Sequence, residues 1–206
     1  MTNLTKSLPL ILLLALAAPA NAQTTDEETA TTEDAEPADA LALSMGEQDV
    51  AVGDVYISAK HGDWEIRCIK SENGNDPCQL YRLLNAVSES GEKSPVAEIN
   101  IFAIGGEEGP TAGATIITPL ETLLTQQLSM SVDGGKVKKY PFSWCSQIGC
   151  FSRVGFSEGD ISAFKRGVNA TLSIVPVAAA DQRVSLTVSL KGFTAGYTDL
   201  QERLSQ

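Results

Sequence analysis

Four cysteines are the residues whose spacing could most directly support chemistry in this sequence. They occur as Cys68-x9-Cys78 and Cys145-x4-Cys150, the second pair within the stretch WCSQIGC. Zinc sites usually combine C-x2-C pairs with a second such pair or with histidines, and this chain has a single histidine, His61. A thioredoxin-like redox site would need C-x-x-C within a βαβ pattern. The spacing therefore favours structural disulfides over a metal or redox site.

The pairing of the cysteines is not fixed by their number, because four cysteines allow three pairings. Short separations favour Cys68 with Cys78 and Cys145 with Cys150. A disulfide needs Cα atoms about 4.4–6.8 Å apart, whereas five steps along a straight strand span roughly 16 Å. A tight turn is therefore expected between the second two cysteines, where a serine and a glycine permit one.

Ser157 is a candidate nucleophile that lies in a recognisable motif. The stretch GFSEG, residues 155–159, matches the G-x-S-x-G pattern of hydrolases. That mechanism needs a strand before the serine, a helix after it and a histidine later in the chain. His61 lies upstream instead, and capping of a helix explains Ser157 without catalysis. We therefore predict no catalytic residue and keep a hydrolase using Ser157 as an alternative.

A lysine-rich stretch is the candidate for a binding surface. GGKVKKY brings Lys136, Lys138 and Lys139 close together, with Tyr140 and Trp144 nearby. Such a patch would suit an anionic partner, for example lipid headgroups, an acidic polysaccharide or the acidic segment of the chain itself. Lysines on exposed strands also discourage edge-to-edge pairing of sheets, and this second interpretation stays open.

The N-terminal residues 1–22 have the pattern of a secretory signal peptide. One lysine precedes an apolar run over residues 8–18, and Ala20-Asn21-Ala22 fits an A-x-A cleavage site. The run is shorter than the roughly 18–20 apolar residues that a membrane span needs. We therefore expect an exported protein, periplasmic or secreted, in the kind of compartment where disulfides persist.

Charge divides the rest of the chain into two parts. The formal net charge is −11, and residues 23–59 contain ten acidic residues and no lysine or arginine. That composition predicts an acidic disordered segment. Residues 60–206 are long enough for one folded domain. The excess of acid argues against nucleic acid as a partner, because phosphate binding needs a basic surface.

Alternation of apolar and polar residues dominates the predicted domain. The clearest examples are VSLTVSLKG (184–192), VNATLSI (168–174) and LSMSVD (128–133). In the second of these, Val168 is expected to face inward with its alternate neighbours. Asp133-Gly134 predicts a hairpin turn. One-sided strands of this kind predict an antiparallel β-sandwich.

Two helices and one ambiguous segment complete the prediction. SEGDISAFKRG predicts a short helix with Ser157 as its N-cap and Gly167 as its stop. FTAGYTDLQERL, residues 193–204, has apolar residues at helical spacing and predicts a C-terminal helix. PLETLLTQQL, residues 119–128, fits either a helix or a strand.

Several of these motifs resemble, in their order, the invasion-associated locus B family of exported bacterial proteins. The shared pieces are GDWEIRC, TPL, SVDGG, YPFSWCSQIGC and VSLKGFTAGYTDL, within residues 62–200. The most specific are the C-x4-C with Gly149 before Cys150 and the SLKGF near the end. The resemblance implies an immunoglobulin-like β-sandwich with two disulfides and an envelope or secreted location. Glu121 departs from the family, which often has glycine there.

The resemblance implies no catalytic residues, and it links members from host-associated bacteria to invasion of host cells. We predict an exported, non-catalytic binding protein that uses no metal and no cofactor. Its partner is expected to be an envelope or host-surface protein or glycan, and peripheral contact with a membrane is a further option. The alternative is an envelope-integrity or assembly factor without a host role.

Overall fold

Two antiparallel sheets and two helices make up the described part of the chain. The computed structural model describes residues 49–87, 91–104 and 109–204. The predicted signal peptide and residues 23–48 of the acidic segment lie outside the described residues. The strands are β1 Val55–His61, β2 Trp64–Ile69, β3 Cys78–Val87, β4 Lys93–Ala103, β5 Ala112–Thr118, β6 Leu128–Val132, β7 Lys138–Tyr140, β8 Trp144–Ser146, β9 Gly149–Phe156, β10 Asn169–Ile174 and β11 Val184–Ser189. The helices are α1 Glu158–Arg166 and α2 Phe193–Leu204.

Seven strands form one sheet in the order β1-β2-β3-β4-β5-β9-β8, and four form the other in the order β11-β10-β6-β7. Neighbouring strands are antiparallel in both sheets. One hydrophobic core joins them, with Trp64 and Ile99 from the larger sheet, Leu172 from the smaller one and Phe193 from α2. The predicted mainly β fold with two antiparallel sheets, two helices and two disulfides is therefore confirmed, and its layout is consistent with an immunoglobulin-like sandwich.

The helices α1 and α2 lie where the sequence predicted them, and α1 contributes Phe164 to the core. Among the described residues, no helix is long and apolar enough to span a membrane. The ambiguous segment 119–128 forms neither of the expected elements over its length. It contains a 3₁₀ turn at Leu124–Gln126 and an isolated bridge between Thr122 and Pro176.

Alternation predicts the inward faces of the strands well, but it fails at their ends. Leu128 and Met130 in β6, and Leu172 in β10, are buried as expected. Val168 is 70% exposed instead of facing inward. The prediction was wrong because β10 begins one residue later, at Asn169.

The folded domain begins earlier than residue 60. Strand β1 begins at Val55 and pairs with β2, so residues 55–59 of the segment predicted to be disordered form an edge strand. Tyr56 and Ala59 are partly buried against the core. Packing of these two side chains outweighs the acidic composition that precedes them, and composition alone could not show this.

The segment between β11 and α2 packs against the turn between β1 and β2. Gly192 has a φ of 87°, and a Cβ at this position would lie 2.0 Å from the carbonyl oxygen of His61. The indole Nε1 of Trp64 donates to the carbonyl oxygen of Ser189 at 3.0 Å. A glycine is required at residue 192 for both its backbone conformation and the close approach of β1.

Candidate functional site

Both disulfides form between residues that face each other in the sheet. Cys68 on β2 opposes Cys78 on β3, and Cys145 on β8 opposes Cys150 on β9. No cysteine is free. Cys68 and Cys150 are fully buried, whereas Cys145 is exposed. The C-x4-C motif is therefore a covalent link that holds the short edge strand β8 on its sheet.

The β8–β9 hairpin packs closely on the end of β5. A Cβ at Gly149, whose φ is 148°, would lie 2.4 Å from the carbonyl oxygen of Thr118. At its tip Ile148 is 74% exposed. Trp144 stacks on Phe151 with ring centroids 4.9 Å apart. The glycine before the second cysteine is thus explained by packing of the backbone.

Ser157 lies between β9 and α1, so the strand–turn–helix context expected for GFSEG is present. Its Oγ donates to Oδ2 of Asp160 at 2.7 Å, and the Asp160 N–H donates back to that Oγ at 3.3 Å. The carboxylate also accepts from the backbone N–H of Ser157. His61 Nε2 lies 2.8 Å from Oδ2 of Asp199. The hydroxyl is used in a capping box, and the imidazole is engaged by a different residue.

The fold separates the five residues predicted as one binding patch. Successive residues of a strand point to opposite faces of its sheet, so β7 divides its lysines. Lys138 forms an ion pair with Asp160 of α1 at 2.5 Å, whereas Lys139 lies opposite Ser129 on the outer face. Lys136 is exposed in the β6–β7 loop. A single contiguous patch is therefore not formed.

The two aromatic residues of the predicted patch lie on different sheets. Tyr140 is half-buried and packs edge-on against Phe156, with ring centroids 6.4 Å apart. Burial, and secondly the charge of Asp160, raises the pKa of Tyr140 to about 12. Trp144 lies on β8, at the edge of the other sheet. Lys136, Lys138 and Tyr140 still line one cavity of about 280 Å³ beside α1.

Asp160 compensates the charge of Lys138, one of the two lysines that line this cavity. Burial by itself would raise the pKa of its carboxyl group, but hydrogen bonds from Lys138 and Ser157 outweigh that effect and lower the pKa. The carboxylate therefore stays charged and compensates Lys138. Of the three lysines, Lys136 and Lys139 have no such ion pair with any of the residues that the structure describes.

Small hydroxyl side chains cover the outer face of the four-stranded sheet. The strand register aligns Ser185, Ser173 and Ser129 in one row that ends at Lys139. The next row is formed by Thr187, Thr171 and Ser131. We call this surface the hydroxyl face, defined by these six serine and threonine residues.

A depression of about 250 Å³ lies on the hydroxyl face between two cationic side chains. Four hydroxyl residues line it, with Lys139 and Arg183. Arg183 Nη1 donates to Ser129 Oγ at 3.1 Å, so this side chain extends from the start of β11 across β10 to β6. The hydroxyls of Ser173 and Ser185 lie 2.8 Å apart. Ser129 and Ser173 are buried.

Sequence reasoning missed Arg183 and the hydroxyl face as a site. The alternation of VSLTVSLKG already indicates an outward row of serine and threonine. The strand order, which places Arg183 over Ser129, does not follow from the sequence. Among the described residues, no group of three side chains is arranged to hold a metal ion.

Comparison with known proteins agrees with the fold. Residues 64–201 match the family model described as invasion associated locus B (IalB) protein. The chain is 26% identical over 145 residues to proteins named invasion protein B homolog from Brucella abortus strain 2308 and from its biovar 1 strain 9-941, covering 70% of this chain and 79% of each relative. The crystal structure of invasion associated protein B from Bartonella henselae shares the fold, with a TM-score of 0.60 and 20% identity over 73% of this chain and 98% of that one. The chain belongs to the invasion associated locus B family.

Proposed function

We propose that this chain is an exported, non-catalytic binding protein of the bacterial envelope or cell exterior, and that its partner is anionic. The signal-peptide pattern of residues 1–22 supports export. The two disulfides support it as well, because such bonds are typical of oxidising compartments. The names of the Brucella and Bartonella relatives refer to invasion, which supports a role at a surface.

The uncompensated cations around the four-stranded sheet carry the proposal. Among the residues that the structure describes, Lys136, Lys139 and Arg183 form no ion pair, whereas Lys138 is neutralised by Asp160. The chain as a whole has a net charge of −11. A local positive region on an acidic protein attracts anionic partners.

A binding measurement with purified membranes tests this function. The protein is purified from the exporting bacterium, labelled, and titrated with envelope membranes of that bacterium and with host-cell membranes. We expect saturable binding to at least one preparation. Binding should weaken between about 0.05 and 0.5 M salt, because the screening length falls to roughly 4 Å at the higher concentration. Lys93→Gln removes an exposed cation from the seven-stranded sheet and serves as the control for the loss of one positive charge. This variant should bind the membranes as wild type does.

The outcomes of this binding measurement distinguish a role in the bacterial envelope from a role in host contact. Binding to envelope membranes alone supports an integrity or assembly factor, and binding to host membranes supports a host contact. Binding to neither preparation would overturn the proposed function. Recovery of the protein from the periplasm or medium with Gln23 as its first residue would support export, and recovery from the cytoplasm with residues 1–22 intact would contradict it.

A further inference from the structure

The hydroxyl face differs in chemistry from the rest of this acidic protein. The residues that point outward from its four strands are serine, threonine, asparagine and lysine, and none of these outward residues carries a carboxylate. Asp133 lies at the end of β6, but its two oxygens accept the backbone N–H groups of Val168 and Asn169, each at 2.9 Å. The nearest acid to Arg183 in the chain, Asp181, does not line the depression.

The two cations at the depression have N–H donors that make no hydrogen bond to the described residues. A guanidinium group has five N–H donors, and among the described residues the one side-chain contact of Arg183 is with Ser129. Lys139 has three N–H donors and lies directly opposite Ser129, the serine to which the Arg183 guanidinium donates. An oxyanion between them would receive charge-assisted hydrogen bonds from both sides, which are stronger than neutral ones.

The floor of the depression suits hydroxyl groups. Ser131 and Thr171 lie in the second row, and each hydroxyl can both donate and accept a hydrogen bond. Ser173 and Ser129 are held by Ser185 and Arg183, so the first row is already ordered. The volume of about 250 Å³ is just below the roughly 300–1,000 Å³ of small-molecule pockets. It fits one ring-sized group with its polar substituents.

We propose that the depression on the hydroxyl face binds an acidic sugar unit of a polysaccharide, with Lys139 and Arg183 contacting its carboxylate or sulfate and Ser131 and Thr171 contacting its hydroxyls. This inference rests on the proposed binding function and names the class of partner. A bilayer suits the face less well, because Val137 is the single exposed large apolar side chain among the residues that line the depression. Charge complementarity and the rows of hydroxyls together select the sugar.

Titration calorimetry with defined saccharides tests the site. The probes are an oligogalacturonate, which carries carboxylates, a heparin oligosaccharide, which carries sulfates, and neutral dextran as the control. We expect wild-type protein to bind at least one acidic probe and not dextran. Lys139→Gln and Arg183→Gln should each weaken binding about tenfold, which is the usual consequence of losing one charge-assisted contact. Lys93→Gln, which removes an exposed cation from the other sheet, should leave the affinity for the acidic probes within about twofold of wild type.

A second variant guards against effects on folding. Ser131→Asp keeps both cations and places a carboxylate on the floor, so it should abolish binding of the acidic probes while the melting temperature stays within about 2 °C. The proposal is overturned if wild-type protein binds neither acidic probe. It is also overturned if the Lys139→Gln/Arg183→Gln double variant binds them as wild type does, or if anionic phospholipid vesicles bind through these two residues in place of the sugars.

The membrane assay separates failure of this site from failure of the proposed function. Loss of membrane binding in the double variant supports both proposals. If the double variant still binds membranes as wild type does, the sugar site is wrong and the binding function stands. If wild-type protein binds no membrane preparation, the proposed function fails, whatever the saccharide titration shows.

Discussion

His61, at the end of the first strand, and Asp199, in the last helix, lie 2.8 Å apart between Nε2 and Oδ2. The other carboxylate oxygen of Asp199 accepts from Arg203 Nε at 2.6 Å, and Arg203 Nη1 donates to Ser58 Oγ at 2.9 Å. These contacts connect α2 to β1 at two places. Helix α2 is therefore fastened to an edge strand that has only one neighbour in its sheet.

Removing the charge of Asp199 should weaken this connection in a pH-dependent way. The hydrogen bond from Arg203 and that from His61 lower the pKa of Asp199, although burial acts in the opposite direction. A lowered pKa stabilises the fold above the unfolded value of about 3.9, and this stabilisation is lost as the pH falls through the folded value. Asp199→Asn should cost about 1 kcal/mol in urea unfolding at pH 7 and much less at pH 3. Asp181→Asn, an exposed aspartate, is the control, and an equal loss at both pH values would contradict the assignment.

Gly192→Ala should be strongly destabilising because two costs add. A residue with a side chain costs roughly 1–2 kcal/mol in the left-handed conformation, and the new Cβ would meet the carbonyl of His61. We expect at least about 3 kcal/mol in total, measured by chemical unfolding. Gly53→Ala is the matched control, since Gly53 has a similar φ of 93° but open space around it. Equal losses in the two variants would show that the close packing contributes nothing.

The two disulfides should differ in how readily they are reduced. Each bond has one fully buried cysteine, but the other cysteine is exposed in the β8–β9 bond (Cys145) and partly buried in the β2–β3 bond (Cys78), so a mild thiol under native conditions should open the β8–β9 bond first. Peptide mapping after alkylation would identify the order. Complete loss of either bond should cost roughly 2–3 kcal/mol on the loop-entropy model. Faster opening of the Cys68–Cys78 bond would contradict this prediction.

Ser157→Ala should behave as the loss of a helix cap. The variant loses the side-chain half of the capping box with Asp160, and we expect a decrease of about 1 kcal/mol in stability. Binding to membranes should be unchanged. Ser157→Thr, which keeps a capping hydroxyl, should recover most of the loss. A hydrolytic activity of the wild-type protein that disappears in the folded Ala variant would instead support the hydrolase alternative.

Local sequence signals predicted the elements of the fold, while the site depended on how those elements pair. Alternation around Leu128 and Leu172 gave the correct core faces, and the cap at Ser157 gave the start of α1. The same alternation could have shown that Lys138 and Lys139 diverge, because they are neighbours in one strand. Arg183 could not be placed in this way. It is 54 residues from Ser129 in the chain, and only the order β11-β10-β6 brings the two together.

The contacts that close the domain join its two ends, and this affects when the domain can fold. The backbone N–H of Asp63 donates to the carbonyl oxygen of Lys191, and the indole Nε1 of Trp64 donates to the carbonyl oxygen of Ser189. These contacts cannot form until β11 and the segment that follows it are available to the folding chain. Contacts between residues so distant in the sequence slow folding, whereas β1, β2 and β3 pair with their neighbours in the chain. The segment around Ser189 and Lys191, and not the local pairing of β1 with β2, therefore decides when this part of the domain becomes stable.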